Sequence, residues 1–132
     1  MSELPLVSFC LLSYNQKQYL IGALKGAFAQ TYRPLEIVIS DDGSTDGSWE
    51  YIQKAVAGFQ QEHPDVAVVI NRNEHNLGNL GNWQKCGELA HGELLVKADG
   101  DDVSLPERTT RVVEEWMKAG KESVKVIHHD GW

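Results

Sequence analysis

Five short apolar runs, separated by longer stretches with helical periodicity, constrain the fold of this 132-residue chain more than any other feature. Near-continuous apolar runs are typical of strands in a parallel sheet that helices cover on both faces. The intervening stretches are long enough for the helical crossovers that parallel neighbours require. We therefore predict one α/β domain over residues 1–132, an open and mostly parallel twisted sheet with helices on both faces. Its predicted strands are residues 6–12, 35–40, 66–70, 94–98 and 124–128.

Four helices are predicted between these strands. The first spans about residues 17–30, and the second begins at a cap supplied by Thr45 or Asp46 and ends before a loop at residues 58–65. The fourth begins at residues 104–107, which have capping-box spacing with an early proline. The side chains expected on buried faces are Ile52, Val56 and Phe59 in the second helix, Leu80, Trp83, Gly87 and Ala90 in the third, and Val112, Val113, Trp116 and Met117 in the fourth.

Polar or acidic clusters follow the first four predicted strands. They begin with Ser-Tyr-Asn at residues 13–15, Asp-Asp-Gly at 41–43, Asn71 and its polar successors, and Asp-Gly-Asp-Asp at 99–102. Parallel strands bring these ends to one edge of the sheet, and ligands of open α/β sheets bind in the crevice beyond that edge. We therefore predict a binding site there, against the alternative that the clusters are ordinary surface turns.

The last of these clusters has the spacing of a divalent-cation site. Asp99 and Asp101 lie two residues apart, so in extended chain their carboxylates leave the backbone on the same side and can converge on one ion. Gly100 between them lets the backbone approach a ligand closely. Mg²⁺ and Mn²⁺ bind carboxylate and phosphate oxygens together. Asp102 points away from the other two, so support of the following helix is its alternative role.

The net charge and the absence of two phosphate-binding motifs narrow the range of possible ligands. A net charge of −7 argues against nucleic acid as a partner and against general affinity for anionic membranes, so a cation is expected to meet any phosphate. The Gly-x-Gly-x-x-Gly of dinucleotide sites and the Gly-Lys-Ser/Thr of P-loops are absent. Tyr14 can instead stack on a base, and aspartates can accept hydrogen bonds from a base or sugar. This inventory fits a nucleoside diphosphate held through a metal ion.

Other features indicate an ordinary intracellular protein. No apolar run approaches the length of a transmembrane segment, and the N-terminus lacks a signal-peptide pattern. We expect a cytoplasmic location, with peripheral association at the inner membrane face left open. Cys10 and Cys86 lie in apolar patterns and are predicted to be buried free thiols. The adjacent His128 and His129 would point to opposite faces of a strand, so we interpret them as structural.

Taken jointly, these motifs resemble family 2 glycosyltransferases. The matching segments are residues 7–15, 19–20, 30–32, 36–46, 76–78, 92–93, 99–102 and 105–106. The resemblance implies the nucleotide-sugar-binding portion of a Rossmann-like GT-A fold, truncated before the acceptor side. It also implies transfer of a sugar, usually with inversion, from a UDP- or dTDP-linked donor to a saccharide, lipid-linked or protein acceptor. Mg²⁺ or Mn²⁺ would be the cofactor.

The resemblance also implies roles for individual residues. The residues that would bind the substrate are Ser13, Tyr14, Asn15, Asp42 and Asp99. Tyr14 would help form the nucleoside pocket with Ser13 and Asn15 as its neighbours, and Asp42, in preference to Asp41, would bind the base. Asp99 would approach the ribose or the metal, and Asp101 would be the principal metal contact.

Two departures from the family pattern qualify this interpretation. Residues 76–83 lack the Ala-Arg-Asn sequence common in this region and look closer to a rhamnosyltransferase-like branch, a hint of a deoxythymidine-linked donor. The acidic catalytic base implied by the resemblance would lie beyond Trp132. Asp130 is a weaker candidate, for which a solvated residue near the end of the chain is the favoured alternative.

Two other functions stay open at this stage. One is a non-catalytic nucleotide-binding or interaction module. The other is a nucleotidyltransferase, which the lack of a glycine-rich basic loop after the first strand disfavours.

Overall fold

The structure, a computed structural model, describes residues 4–100 and 103–119 and the backbone of residues 126–127. Strands and helices alternate along the chain, as the sequence predicts. The elements are β1 (Val7–Ser13), α1 (Lys17–Phe28), β2 (Leu35–Asp41), α2 (Ser48–Glu62), β3 (Ala67–Arg72), α3 (Gly78–Leu89), β4 (Leu94–Asp99), α4 (Arg108–Lys118) and β5 (Val126–Ile127). Residues 124, 125 and 128 of the predicted fifth strand lie outside the described part.

The strands form one sheet in the order β3-β2-β1-β4-β5, and every described pairing is parallel. The first three strands are added in one direction and the last two in the other, so the direction of the connections reverses between β1 and β4. Around this reversal α1 and α3 cover opposite faces of the sheet, which leaves a crevice at the carboxyl ends of β1 and β4. The predicted fold class is therefore confirmed, and the topology places the crevice between β1 and β4.

The core has a layer on each face of the sheet. Every residue of β1 and β2 is buried, and alternate side chains point to opposite layers. Phe9 and Leu11 join the larger layer, formed with α1, α2 and α4, whereas Cys10 and Leu12 join a smaller layer beneath α3. Burial on both faces explains why these two strands are apolar almost throughout. The predicted buried side chains of α2 and α4 lie in the larger layer, with Met117 packed at its edge.

Helix α2 differs from its prediction at both ends. It continues into the predicted loop as far as Glu62 because Phe59 in its last turns is buried and stacks on Phe28, with ring centroids 4.3 Å apart. It begins at Ser48, and the predicted cap Asp46 lies before the helix. There the Asp46 carboxylate accepts hydrogen bonds from the backbone N–H and hydroxyl of Ser48 and from the backbone N–H of Lys17, so it joins the starts of α1 and α2.

The predicted buried face of α3 is partly wrong. Leu80 is 69% exposed, and Gly87 is also on the surface, whereas Trp83 and Ala90 pack at the edge of the smaller layer. The buried residues of this helix are Cys86 and the polar Asn82. A hydrophobic pattern misses this orientation because Asn82 is buried through hydrogen bonds rather than through apolar contact.

The predicted capping box before α4 is absent, because Ser104 makes a different contact. Its hydroxyl accepts a hydrogen bond from Nη1 of the buried Arg108 at 2.9 Å, and the helix begins at Arg108 with no side-chain cap. Nη2 of Arg108 donates to the carbonyl of Lys97 in β4 at 2.8 Å. The start of α4 is thereby tied to the strand that ends at Asp99. Within the described ranges, no helix combines the length and apolar character needed to cross a membrane.

Candidate functional site

A cavity of about 460 Å³ opens at the carboxyl ends of the strands, where the connections reverse direction. Strands β1, β2 and β4 and the first turns of α3 supply its walls. Four of the predicted site residues lie on it, and they come from three different strand ends. The lining residues are Leu12, Ser13, Tyr14, Gln16, Asp42, Asn76, Gly78, Asn79, Asn82 and Asp99.

Asp42 is buried (2% exposed), and its carboxylate is held in one orientation. Oδ1 accepts hydrogen bonds from Nδ2 of Asn73 at 2.9 Å and from the backbone N–H of Leu77 at 2.8 Å, and Oδ2 accepts from the backbone N–H of Gly78 at 3.0 Å. Two of these donors are backbone amides at the start of α3, where a negative charge is favourable, and the N–H of Gly78 also donates to Oδ1 of Asn76 at 3.0 Å. Among the described residues Oδ2 receives one donor, so its second acceptor position is available to a ligand.

Asp41 has a different role from its neighbour. Its carboxylate is fully buried and accepts hydrogen bonds from the hydroxyls of Ser13 (3.1 Å) and Ser44 (2.6 Å) and from the backbone N–H of Ser44 (2.8 Å). These contacts close the turn after β2, and Asp41 does not line the cavity. The cavity position of Asp42 agrees with the preference for Asp42 over Asp41, although binding of a base by Asp42 stays a prediction.

Tyr14 and Asn15 diverge after β1. Tyr14 is 45% exposed and lines the cavity. Asn15 does not line it: this residue has a positive φ of 47°, its backbone N–H donates to Ser44 Oγ, and its side-chain oxygen accepts from the N–H of Thr45. Asn15 therefore joins the loop after β1 to the loop after β2, and a direct contact between its side chain and the substrate stays a prediction.

Asp99 lies on the cavity wall at the end of β4. Its Oδ1 accepts a long hydrogen bond (3.5 Å) from Nδ2 of Asn79 in α3. The next residue, Gly100, is tightly packed: a Cβ at this position would lie 3.1 Å from the carbonyl oxygen of Leu12 and 3.0 Å from Oε1 of Gln16. The lack of a side chain at position 100 thus lets the end of β4 lie against the end of β1, beside Tyr14.

The predicted metal site is only partly within the described residues. Asp101, Asp102 and the alternative base Asp130 lie outside them. Over residues 4–100 and 103–119, no group of three or more His, Cys, Asp or Glu residues converges as a metal site. Asp99 supplies one hard oxygen donor at the cavity wall, which suits Mg²⁺ or Mn²⁺.

Sequence reasoning missed a buried polar network behind the cavity. Asn71, Ser40 and Asn82 are joined by side-chain hydrogen bonds, and Asn73 joins Asn82 to Asp42. The available signal was the density of asparagine, with five such residues between positions 71 and 82. Asparagine is also common in surface turns, so composition by itself does not distinguish a network from a loop.

Comparison with known proteins agrees with this geometry. Residues 8–130 match the sequence model described as Glycosyl transferase family 2. The chain belongs to this family. An uncharacterized glycosyltransferase of Nostoc sp. is 35% identical over 123 residues, which cover 93% of this chain and 36% of that protein. The family membership inferred from the sequence motifs is therefore confirmed.

Two solved structures have the same fold. The mannosyltransferase PcManGT from Pyrobaculum calidifontis, in complex with GDP-Man and Mn²⁺, superposes with a TM-score of 0.73 at 24% identity, over 87% of this chain and 33% of that one. S. aureus TarS in complex with UDP-GlcNAc gives 0.68 at 21% identity, over 85% and 31%. This family 2 chain thus spans about a third of the length of each of these relatives.

Proposed function

We propose that this chain is the donor-binding part of a metal-dependent glycosyltransferase. It would transfer a sugar, with inversion, from a nucleoside-diphosphate sugar to a saccharide, lipid-linked or protein acceptor. The observation that carries the proposal is the convergence of Tyr14, Asp42 and Asp99 on one cavity where the sheet connections reverse. An aromatic ring, an oriented carboxylate acceptor and a carboxylate at the opposite wall are the groups that a nucleoside with a metal-bound diphosphate requires.

The donor would lie with its base towards β2 and its diphosphate towards β4. Asp42 keeps an acceptor position for an N–H of the base, and the exposed ring of Tyr14 provides a stacking surface beside it. Asp99 would accept from the ribose or bind the metal. Ser13 would contribute by fixing Asp41 and hence the turn that carries Asp42.

Asp99 and Asp101 would hold Mg²⁺ or Mn²⁺. The ion would neutralise the diphosphate as it leaves the sugar. Support comes from the donor chemistry of Asp99 and from PcManGT, whose structure contains Mn²⁺ together with GDP-Man. A UDP- or dTDP-linked sugar is the donor class we favour, and TarS binds UDP-GlcNAc.

The catalytic base completes the proposal. Inverting transfer needs a carboxylate that removes the proton of the acceptor hydroxyl. The two acidic side chains on the described cavity wall, Asp42 and Asp99, are assigned to the donor, so we place the base elsewhere, with Asp130 as the candidate within this sequence. We propose that the protein acts in the cytoplasm, where nucleotide sugars would reach the cavity.

Calorimetry of UDP and dTDP with the chain, with and without Mn²⁺, tests this proposal. The wild type should bind a nucleoside diphosphate only weakly without the ion, and Asp101→Ala and Asp99→Ala should each lower the metal-dependent affinity about tenfold or more. Asp65→Ala is a matched control, because Asp65 is an exposed aspartate paired with Arg33 and does not line the cavity. The absence of metal-dependent binding in the wild type would refute the proposal. Binding without donor hydrolysis or transfer would favour a non-catalytic nucleotide-binding module.

A further inference from the structure

We propose that Asn82 determines which nucleobase the cavity accepts, by donating a hydrogen bond to a base carbonyl next to the ring N–H that Asp42 accepts. This inference rests on the proposed function and deepens it. Asn82 lies in α3 and lines the cavity, although it is only 2% exposed.

The hydrogen-bond network sets the orientation of the Asn82 amide. The carboxylate of Asp42 can only accept, so the atom of Asn73 that faces it at 2.9 Å must be the amide nitrogen. The same nitrogen donates to Asn82 at 2.9 Å, so the atom of Asn82 that faces it must be the oxygen. The charge of Asp42 therefore fixes both amides, one after the other.

A second set of contacts gives the same orientation. The hydroxyl of Ser40 accepts from Nδ2 of Asn71 at 3.0 Å and donates to Oδ1 of Asn82 at 2.7 Å. Nδ2 of Asn82 donates to the backbone carbonyl of Ser40 at 3.0 Å. The oxygen of Asn82 thus has two donors, whereas its nitrogen, among the described residues, uses one of its two hydrogens. The remaining N–H belongs to a side chain on the cavity wall.

Asp42 and Asn82 line the same cavity and offer it an acceptor and a donor, which are Oδ2 of Asp42 and the second hydrogen on Nδ2 of Asn82. The two side chains are adjacent, because both accept from the same nitrogen of Asn73. This pair is complementary to a ring N–H flanked by a carbonyl, the arrangement found at N3–H and O4 of uracil and thymine and at N1–H and O6 of guanine. Cytosine and adenine present a ring acceptor beside an amino donor at the equivalent edge, so both of their groups would face a like group.

Rejection should be strong because the site is built from buried polar groups. A base that cannot pair with them leaves both the protein group and its own group without partners after water is expelled. The network behind Asn82 prevents the simple remedy of rotating the amide, since a rotated amide would point its nitrogen at Asn73 and at the hydroxyl of Ser40. The preference is therefore a property of the packed network rather than of one side chain.

UDP and CDP with Mn²⁺ provide the sharpest test, because they differ only at this edge of the base. We expect the wild type to bind UDP at least about a hundredfold more tightly than CDP. Asn82→Ala should lower the affinity for UDP about tenfold and the affinity for CDP by less than about threefold, so that the ratio of UDP affinity to CDP affinity falls. Asn82→Asp, which keeps both acceptor contacts and lacks the donor, should lower the ratio in the same way.

The controls separate base recognition from general damage. Mn²⁺-pyrophosphate has no base, so its affinity should not change in Asn82→Ala if the fold is intact. Asn79→Ala removes another amide of the same cavity that contacts Asp99 and Lys97 instead of Asp42, and it should leave the UDP/CDP ratio unchanged whatever its effect on absolute affinity.

The outcomes that would overturn the inference are distinct from those that refute the proposed function. An unchanged UDP/CDP ratio in both Asn82 variants would overturn it, as would a parallel loss for UDP, CDP and pyrophosphate. A wild type that binds nucleoside diphosphates without base preference would overturn the inference alone. A wild type that binds none of them would refute the proposed function itself.

Discussion

Glu36 is a buried carboxylate at the end of the sheet opposite to the cavity, and removing it should destabilise the fold strongly. Its side chain is 5% exposed although it lies in the apolar strand β2. Oε1 accepts from the hydroxyl of Ser8 at 2.7 Å and from the backbone N–H of His91 at 2.8 Å, and Oε2 contacts Nδ1 of His91 at 2.7 Å. The hydroxyl of Ser8 accepts in turn from the N–H of Gly92. Glu36 thus ties β1, β2 and the loop before β4 together.

The expected size of the effect follows from these contacts. Hydrogen bonds to a charged group contribute roughly 1.5–3 kcal/mol each; the one from Ser8 is buried and the one from the N–H of His91 is partly buried. The ring of His91 is 72% exposed, so its ion pair adds little. Allowing for non-additivity, Glu36→Ala should lower the free energy of unfolding by about 2–4 kcal/mol. Glu36→Gln keeps an oxygen that can accept from the hydroxyl of Ser8 and the N–H of His91, so it should lower the free energy of unfolding by only about 1 kcal/mol.

Acidification should reduce the advantage of Glu36 over glutamine. Burial by itself raises the pKa of Glu36, but hydrogen bonds from Ser8 and from the backbone and ring of His91 outweigh it and hold the pKa below its ordinary 4.5. A carboxyl with a depressed folded-state pKa stabilises the fold above its unfolded pKa, and this stabilisation is lost as pH falls through the folded-state value. The difference between wild type and Glu36→Gln should therefore be constant near neutrality and shrink below pH 4.5.

Urea unfolding followed by circular dichroism measures both effects. Wild type, Glu36→Ala and Glu36→Gln are compared at pH 7 and at several values below 4.5, with His91→Ala reporting the ring contact alone. The reasoning fails if Glu36→Ala loses less than about 1 kcal/mol at pH 7. It also fails if Glu36→Gln is as unstable as Glu36→Ala, since the buried donors would then not depend on the retained oxygen.

Three further predictions concern the larger layer, the smaller layer and the anchoring of α4. Gly26→Ala should lower the free energy of unfolding by about 1–3 kcal/mol, because the new Cβ would lie 2.9 Å from the backbone nitrogen of Ser104. An unchanged midpoint of urea unfolding would contradict this prediction. Cys10 and Cys86 are fully buried, and interaction with the Cys86 thiol, followed by burial, raises the pKa of the Cys10 thiol well above its ordinary value. An aromatic disulfide reagent should therefore label both thiols only in denaturant, and rapid labelling of the native protein would disprove the arrangement. Gln30→Leu should lower the free energy of unfolding by about 2–4 kcal/mol, because the buried amide of Gln30 donates to the carbonyl of Leu105 and accepts from the backbone N–H and hydroxyl of Thr109. A loss no larger than that of Gln18→Leu, at an exposed position, would count against this reasoning.

Much of the fold follows from local sequence. The strands β1 and β2 are apolar because both of their faces are covered, and this requirement leaves a continuous signal in the sequence. Pairing in parallel then places their polar ends at one edge, so the sequence also predicts that Tyr14, Asp42 and Asp99 lie near each other. Helix ends were less predictable: α2 extends past Gly58 because of a contact between Phe28 and Phe59, which are far apart in the chain.

Polar residues that are buried through pairing could not be predicted in this way. Three buried residues, Asn82, Glu36 and Gln30, are of polar types that usually lie at the surface. They are buried because partners distant in sequence form hydrogen bonds with their polar atoms. Such pairing costs little only when every donor and acceptor is met, a condition that depends on the whole arrangement.

The sequence by itself determined the family, the parallel sheet and the edge at which a ligand would bind, because apolar continuity and the spacing of acidic residues are local properties. The tertiary structure decided which of two adjacent aspartates lines the cavity. Asp41 turns inward to Ser13 and Ser44, whereas Asp42 faces the start of α3. It also revealed the amide beside Asp42, since the orientation of Asn82 is set by hydrogen bonds that join β2, the segment after β3 and α3.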